Sequence, residues 1–250
     1  MYIRALFLVV ATWCVGATAH AAMKIADLRD RAAVIEYAAH VGDFRQLTQI
    51  SDLLVEQTAR GNLQKLVHYY SALAAYRAAE IDADVEYRVG VLLDRCVDQG
   101  KAALKLDPEF AEALALIGAC HGLAAARQPL AAIVSGNFSA RELKRALALA
   151  PENPRVQLLH AITLMRRYES PQRRAQAEES LGEALRLFDA FATMDDAESP
   201  QWGQEHAHLW MARLALANDD KVAARDHLEQ ALLIAPDFEM ARVEFTSLGS

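Results

Sequence analysis

A short ending recurs along this chain, and it limits what the chain can fold into more than any other feature. Ala103-Leu-Lys-Leu-Asp-Pro108, Ala146-Leu-Ala-Leu-Ala-Pro151 and Ala231-Leu-Leu-Ile-Ala-Pro236 share it, and Ala184-Leu-Arg-Leu-Phe188 keeps its start without the proline. The alanines are 43, 38 and 47 residues apart. That spacing suits a unit of two helices with loops of varied length, not an uninterrupted coiled coil. Alanine lets one helix approach its neighbour closely, and the two Leu/Ile positions are expected to bury a stripe. Proline lacks an N–H and disfavours helix at the residue before it, so the helix stops there. Acids such as Glu109 and Glu112 then open the next helix, where they favour the positive end of its dipole.

Glu205 to Pro236 aligns without gaps to a tetratricopeptide repeat, which this chain therefore resembles. Met211 and Ala212 stand at the paired large and small positions of its first helix. Ala224, Leu228, Ala231 and Pro236 complete the second. Leu114, Ile117 and Gly118 repeat the first-helix pattern after Pro108. Departures exist: His208 and Ala215 replace the usual aromatics, and His121 stands where tyrosine is preferred. The resemblance implies an all-α fold, an α-solenoid of antiparallel helix pairs in a right-handed superhelix with a C-terminal capping helix. It also implies a concave groove lined by one edge of each first helix. Carried onto this chain, that edge is Glu112, Ala115 and Ala119 in one unit and His206, Leu209 and Arg213 in another. An extended or helical peptide would fit such a groove better than a small metabolite.

The remaining chain divides accordingly into residues 1–21, an N-terminal helix pair over 22–62, repeats over 63–236 and a cap over 237–250. Gly42-Asp43 and Gly61-Asn62 are turn signals between helices. Leu66, Tyr69, Leu73 and Tyr76 recur at helical spacing and read as core. Gln128 to Phe138, with Pro129 and Ser135-Gly136-Asn137, reads as a long loop. Trp202 before Gly203 reads as a wedge between helix pairs.

Arg4, an apolar run from Ala5 to Val15 and Ala19-His20-Ala21 follow the order of a bacterial-type export signal, with cleavage before Ala22. The run is too short to span a bilayer, which takes about twenty residues. A periplasmic or secreted product without stable membrane insertion is expected. The formal charge of the chain is −7, which argues against nucleic acid or an anionic membrane as its main partner.

No phosphate loop, G-x-S-x-G, H-E-x-x-H or paired C-x-x-C appears, so no catalytic residue, cofactor or metal ligand is assigned. His206 and His208 are two apart and cannot share an ion from one helix. Cys120-His121 with Cys96 lacks an evident fourth zinc ligand. Arg166-Arg167 and Arg173-Arg174 read as a solvated loop or a docking patch for an acidic partner. Cys96 and Cys120 are nearly equidistant from the turn at Asp107-Pro108, so a regular helical hairpin is expected to bring them face to face as a disulfide. Two buried free thiols are the alternative. The function expected is a non-catalytic protein- or peptide-binding scaffold of the cell envelope. An enzyme or small-ligand accessory subunit using the inter-helix loops is the alternative, distinguished by shifted ionisable groups in a closed pocket.

Overall fold

A computed structural model of the chain describes residues 22–81, 86–127, 132–166, 170–191 and 199–249. The expected signal and its cleavage bond, and Arg167, lie outside the described residues. Eleven helices are present among those described: α1 Ile25–His40, α2 Phe44–Val55, α3 Asn62–Ile81, α4 Glu86–Leu106, α5 Ala111–Arg127 and α6 Ala132–Leu149, then α7 Pro154–Met165, α8 Pro171–Phe191, α9 Gln204–Ala217, α10 Lys221–Ile234 and α11 Glu239–Ser247.

Local chemistry sets most of the boundaries. Gly42 takes a left-handed φ of +71° after α1, and Asp43 caps α2 by accepting from the Gln46 N–H at 2.9 Å. Asn153 caps α7 by accepting from Arg155 and Val156, with Pro154 in the first turn, where no N–H is needed. Asp220 caps α10. The recurrent endings close α4, α6 and α10 two residues before the proline in each case.

Within these endings the burial differs from the expected stripe. Ala103, Ala146, Ala184 and Ala231 are all fully buried. Leu104, Leu147 and Leu232 are only partly buried, and Leu106, Leu149 and Ile234 are exposed. The alanine is covered completely, the leucine after it packs against the core from the edge, and the last residue of the helix faces water. The prolineless copy differs, since Leu187 and Phe188 are buried there along with Ala184.

The helices pair in order, α1 with α2 through α9 with α10, and α11 packs on α10. The second helix of each pair leans on the first helix of the next, and α3, α5, α7 and α9 also stack in sequence. This is an α-solenoid. Its centre is α3, α5 and α7, which are buried on nearly every side: 13 of the 20 residues of α3 and 13 of the 17 of α5 are inaccessible. Helices apolar all round belong in such a position. Close approach is enforced by glycine at Gly118, where a Cβ would meet Leu143 Cγ at 2.7 Å.

The long loop expected over Gln128 to Phe138 is corrected from Ala132 onward. Ser135, Gly136 and Asn137 are helical, and Gly136 and Ser139 face inward three residues apart. Glycine costs a helix interior about 1 kcal/mol relative to alanine, and α6 forms in spite of it. Cys96 and Cys120 are both fully buried, face one another from α4 and α5 with Cα atoms 6.5 Å apart, and have their sulfurs at disulfide distance.

Candidate functional site

The interior of the solenoid is unusually charged. Arg77 of α3 is 2% exposed. Its guanidinium donates to Glu80 Oε2 at 3.0 Å, lies 4.0 Å from Glu36 of α1, and sits over the Trp202 ring at 4.9 Å. From α7, Arg166 donates to the Tyr76 hydroxyl at 2.9 Å and pairs with Glu80. Trp202 Nε1 donates to the Tyr69 hydroxyl at 2.9 Å, so the segment before α9 wedges onto α3 as expected of that tryptophan. Arg155 of α7 pairs with Glu112 of α5 at 2.8 Å, with both side chains almost fully covered.

These contacts decide the protonation states. Burial pushes the Glu80 carboxyl up, but the guanidiniums of Arg166 and Arg77 outweigh it and bring it down to about 2. Burial dominates at Glu36, whose carboxyl rises to about 7 despite Arg77. His206, also buried and beside Arg77, drops to about 4. Burial likewise raises the Tyr69 and Tyr76 hydroxyls, which therefore act as neutral hydrogen-bonding groups.

Beyond Arg77 lies a second group. His40 ends α1, and Glu205 and His206 open α9 after Gly203, which adopts a φ of +110°. Glu205 Oε1 is 2.6 Å from His206 Nδ1 and 3.3 Å from His40 Nε2. The Phe238 ring lies against both imidazoles, with centroids 4.7 Å and 5.0 Å away. Residues far apart in sequence thus close the row of helices on itself.

That closure displaces the groove expected from the resemblance. Glu112, Ala115, Ala119, His206 and Leu209 are all buried. Glu112 is spent on Arg155, and His206 on Glu205. Arg213 is half-buried, paired with Glu244 of α11 and stacked on Trp210 at 4.7 Å. Five of the six are thus buried and Arg213 is half-buried, although Glu112 still borders a small cleft with Lys65, Asn153 and Pro200. His206 is buried and His208 half-buried, with its Nδ1 3.1 Å from His227 Nδ1. Arg166 is internal, and Arg174 donates to the Ala217 carbonyl and to Asn218, so they form no common loop patch. His121 stacks on Phe138 rather than joining the cysteines.

An accessible cleft of about 580 Å³ lies instead between α6 and the α7–α8 pair. Its walls include Ile133, Leu143, Lys144, His160, Thr163 and Arg173. Ile133 is 77% and Val134 61% exposed, and Phe138 is also solvent-facing. Among the described lining residues there are two cationic side chains and no acid. Sequence reasoning missed this cleft because it treated the first turns of α6 as loop. The apolar pair Ile133-Val134 ahead of the small inward residues Gly136 and Ser139 was the available signal.

The fold is similar to that of a thermophilic tetratricopeptide-repeat protein of Thermus thermophilus, at 15% identity and a TM-score of 0.52 over 82% of this chain and 98% of that one. No family model matches the sequence. No curated protein matches it either.

Proposed function

We propose that this tetratricopeptide-type chain is a non-catalytic scaffold that binds an acidic, partly apolar peptide segment in the cleft between α6 and α7–α8. The observation that carries this reading is the cleft itself. It sets the exposed Ile133, with Leu143 and Leu147 of the same helix, beside the cations Lys144 and Arg173, on a chain whose overall charge is negative. Water-facing apolar side chains gathered beside a charge of one sign are the pattern of an interaction surface. The shifted ionisable groups do not favour an enzyme, since Glu80, Arg77 and Arg166 answer one another as buried ion pairs.

A photo-crosslinking residue at Ile133, compared with one at the equally exposed Val222 of α10, tests the reading in cells. Capture of a segment rich in Asp and Glu at position 133 alone, abolished by Lys144→Glu with Arg173→Glu, is expected. Equal capture at both positions, or capture indifferent to charge reversal, would overturn it.

We further infer that the scaffold works in the periplasm or outside the cell. Support comes from the signal-like order of residues 4–21 and from Cys96 and Cys120, whose sulfurs stand where an oxidising compartment would join them. Intact mass of envelope-derived protein should show a chain that starts near Ala22 and is two hydrogens lighter than its reduced form. Full-length, fully reduced protein recovered from the cytoplasm would reject both statements.

A further inference from the structure

We propose that Glu36, His40, Glu205 and His206 form a binding site for one divalent transition-metal ion of the zinc class, which clasps α1 to α9. One donor atom from each of the four lies within 4.8 Å of every other. A tetrahedral zinc ion with bonds of about 2.0–2.1 Å holds its donors roughly 3.4 Å apart. Side-chain adjustments of about an ångström would therefore complete the shell.

Local structure explains why the four meet. Glu36 and His40 are one helical turn apart on α1 and share a face. Glu205 and His206 are neighbours in sequence and would diverge inside a helix. They stand instead in the first turn of α9, beside the left-handed Gly203, and Glu205 Oε1 is already shared between the two imidazoles.

Three further observations point to a cation rather than to a closed set of hydrogen bonds. First, His206 is 1% exposed, and its Nε2 is buried without a hydrogen-bond partner. Both carboxylate oxygens of Glu36 are buried in the same condition. Native interiors leave few such atoms, and an ion is one of their ordinary explanations. Second, the donors are two imidazoles and two carboxylates, a mixed nitrogen and oxygen set that suits zinc and its first-row neighbours. It is unlike the all-oxygen shells of calcium or magnesium. Third, the connected interior contains the carboxylates of Glu36, Glu80 and Glu205 against the guanidiniums of Arg77 and Arg166. Glu36 is the one of these three carboxyl groups with no hydrogen-bonded partner. Arg77 is the guanidinium beside Glu36: its Nη1 donates to Glu80 at 3.0 Å, while its Nη2 stands 4.0 Å from Glu36, beyond hydrogen-bond length, and is itself unpartnered. The Phe238 ring, packed on both imidazoles, would hold the ligand planes as an outer shell does in known metal sites.

The ion would join residues 165 positions apart and lock the closure of the helix row. Glu205 and His206 are almost fully covered, and Glu36 and His40 largely so, which fits a structural clasp.

The test uses the full chain, purified without a histidine tag, stripped with a chelator and titrated with zinc chloride alone. One zinc per chain by elemental analysis is expected, with a rise in Tm of roughly 5 °C or more at saturation. Glu36→Gln and His40→Gln should each weaken binding by about 100-fold or more. His227→Gln should leave it unchanged, which separates this site from the His208–His227 contact. Should the His40 variant fail to fold, Glu36→Gln keeps the side-chain volume, and cobalt(II) absorbance of the wild type reports tetrahedral coordination directly. No uptake at micromolar free zinc, a cobalt spectrum without tetrahedral bands, or binding that survives Glu36→Gln and is lost in His227→Gln would overturn the assignment.

Discussion

The C-terminal cap and the centre of this solenoid are held together by different physics. Around α10 and α11 the core is apolar and small: Leu209, Ala212, Ala224, Leu228, Ala231, Ala235, Phe238 and Ala241 form a cluster of their own. Around α3 and α7 the apolar packing encloses tyrosines, guanidiniums and carboxylates that must satisfy one another. An apolar cluster tolerates a vacancy in proportion to the volume lost. A charged interior is less forgiving, because removing one partner strands the other in a medium that solvates it poorly. The cap is therefore robust and replaceable, whereas the interior is specific and brittle.

The sharpest way to break this contrast is Arg77→Leu. Glu80 would keep Arg166, but Glu36 would lose the guanidinium beside it, and urea denaturation should show a loss of about 3–5 kcal/mol. A loss below about 1 kcal/mol would mean that the interior behaves like the apolar cap. Leu228→Ala removes a fully buried side chain from the cap and should cost about 2–4 kcal/mol. Hydrogen exchange should then rise in α10 and α11 while α3 and α5 stay protected, since the cap cluster is separate from the main core. Uniform loss of protection would show one cooperative unit instead.

Acid should separate the two regions as well. The folded Glu80 carboxyl lies near 2, below its ordinary value of 4.5, so the stability it contributes is present above pH 4.5 and lost as pH falls from there towards 2. That loss is on the order of 3 kcal/mol at its limit. Glu80→Gln should flatten the acid limb of a plot of Tm against pH, whereas Leu228→Ala should shift the whole curve without changing its slope. The smallest effect is expected from Arg225→Ala in α10. It breaks an exposed pair with Glu229 and should change stability by no more than about 0.5 kcal/mol.

The apolar cap was the more legible region in the sequence. Met211 and Ala212, then Ala224, Leu228 and Ala231, mark its helices through the resemblance to a tetratricopeptide repeat, and all but Met211 are fully buried. The stripe Leu66, Tyr69, Leu73 and Tyr76 was readable as core from its helical spacing. The hairpin count that pairs Cys96 with Cys120 is a local argument too, and their sulfurs do meet. Glu36 and His40 carry a weaker signal, a carboxylate and an imidazole one turn apart, whose counterpart stands 165 residues beyond His40.

Helical periodicity and turn chemistry act over a few residues, so the sequence by itself determined the helices, most of their ends, the order of pairing and the family of folds they resemble. It could not determine whether the row of pairs stays open or closes, because that depends on contacts between residues far apart in the chain. Only the tertiary structure decided that the expected groove residues are buried, Glu112 against Arg155, His206 against Glu205 and Leu209 in the cap cluster. The physical reason is that helix propensity and capping are short-range energies. The protonation of Glu36, the pairing of Arg166 with Glu80 and the meeting of His40 with Glu205 are set by which distant groups share one poorly solvated interior.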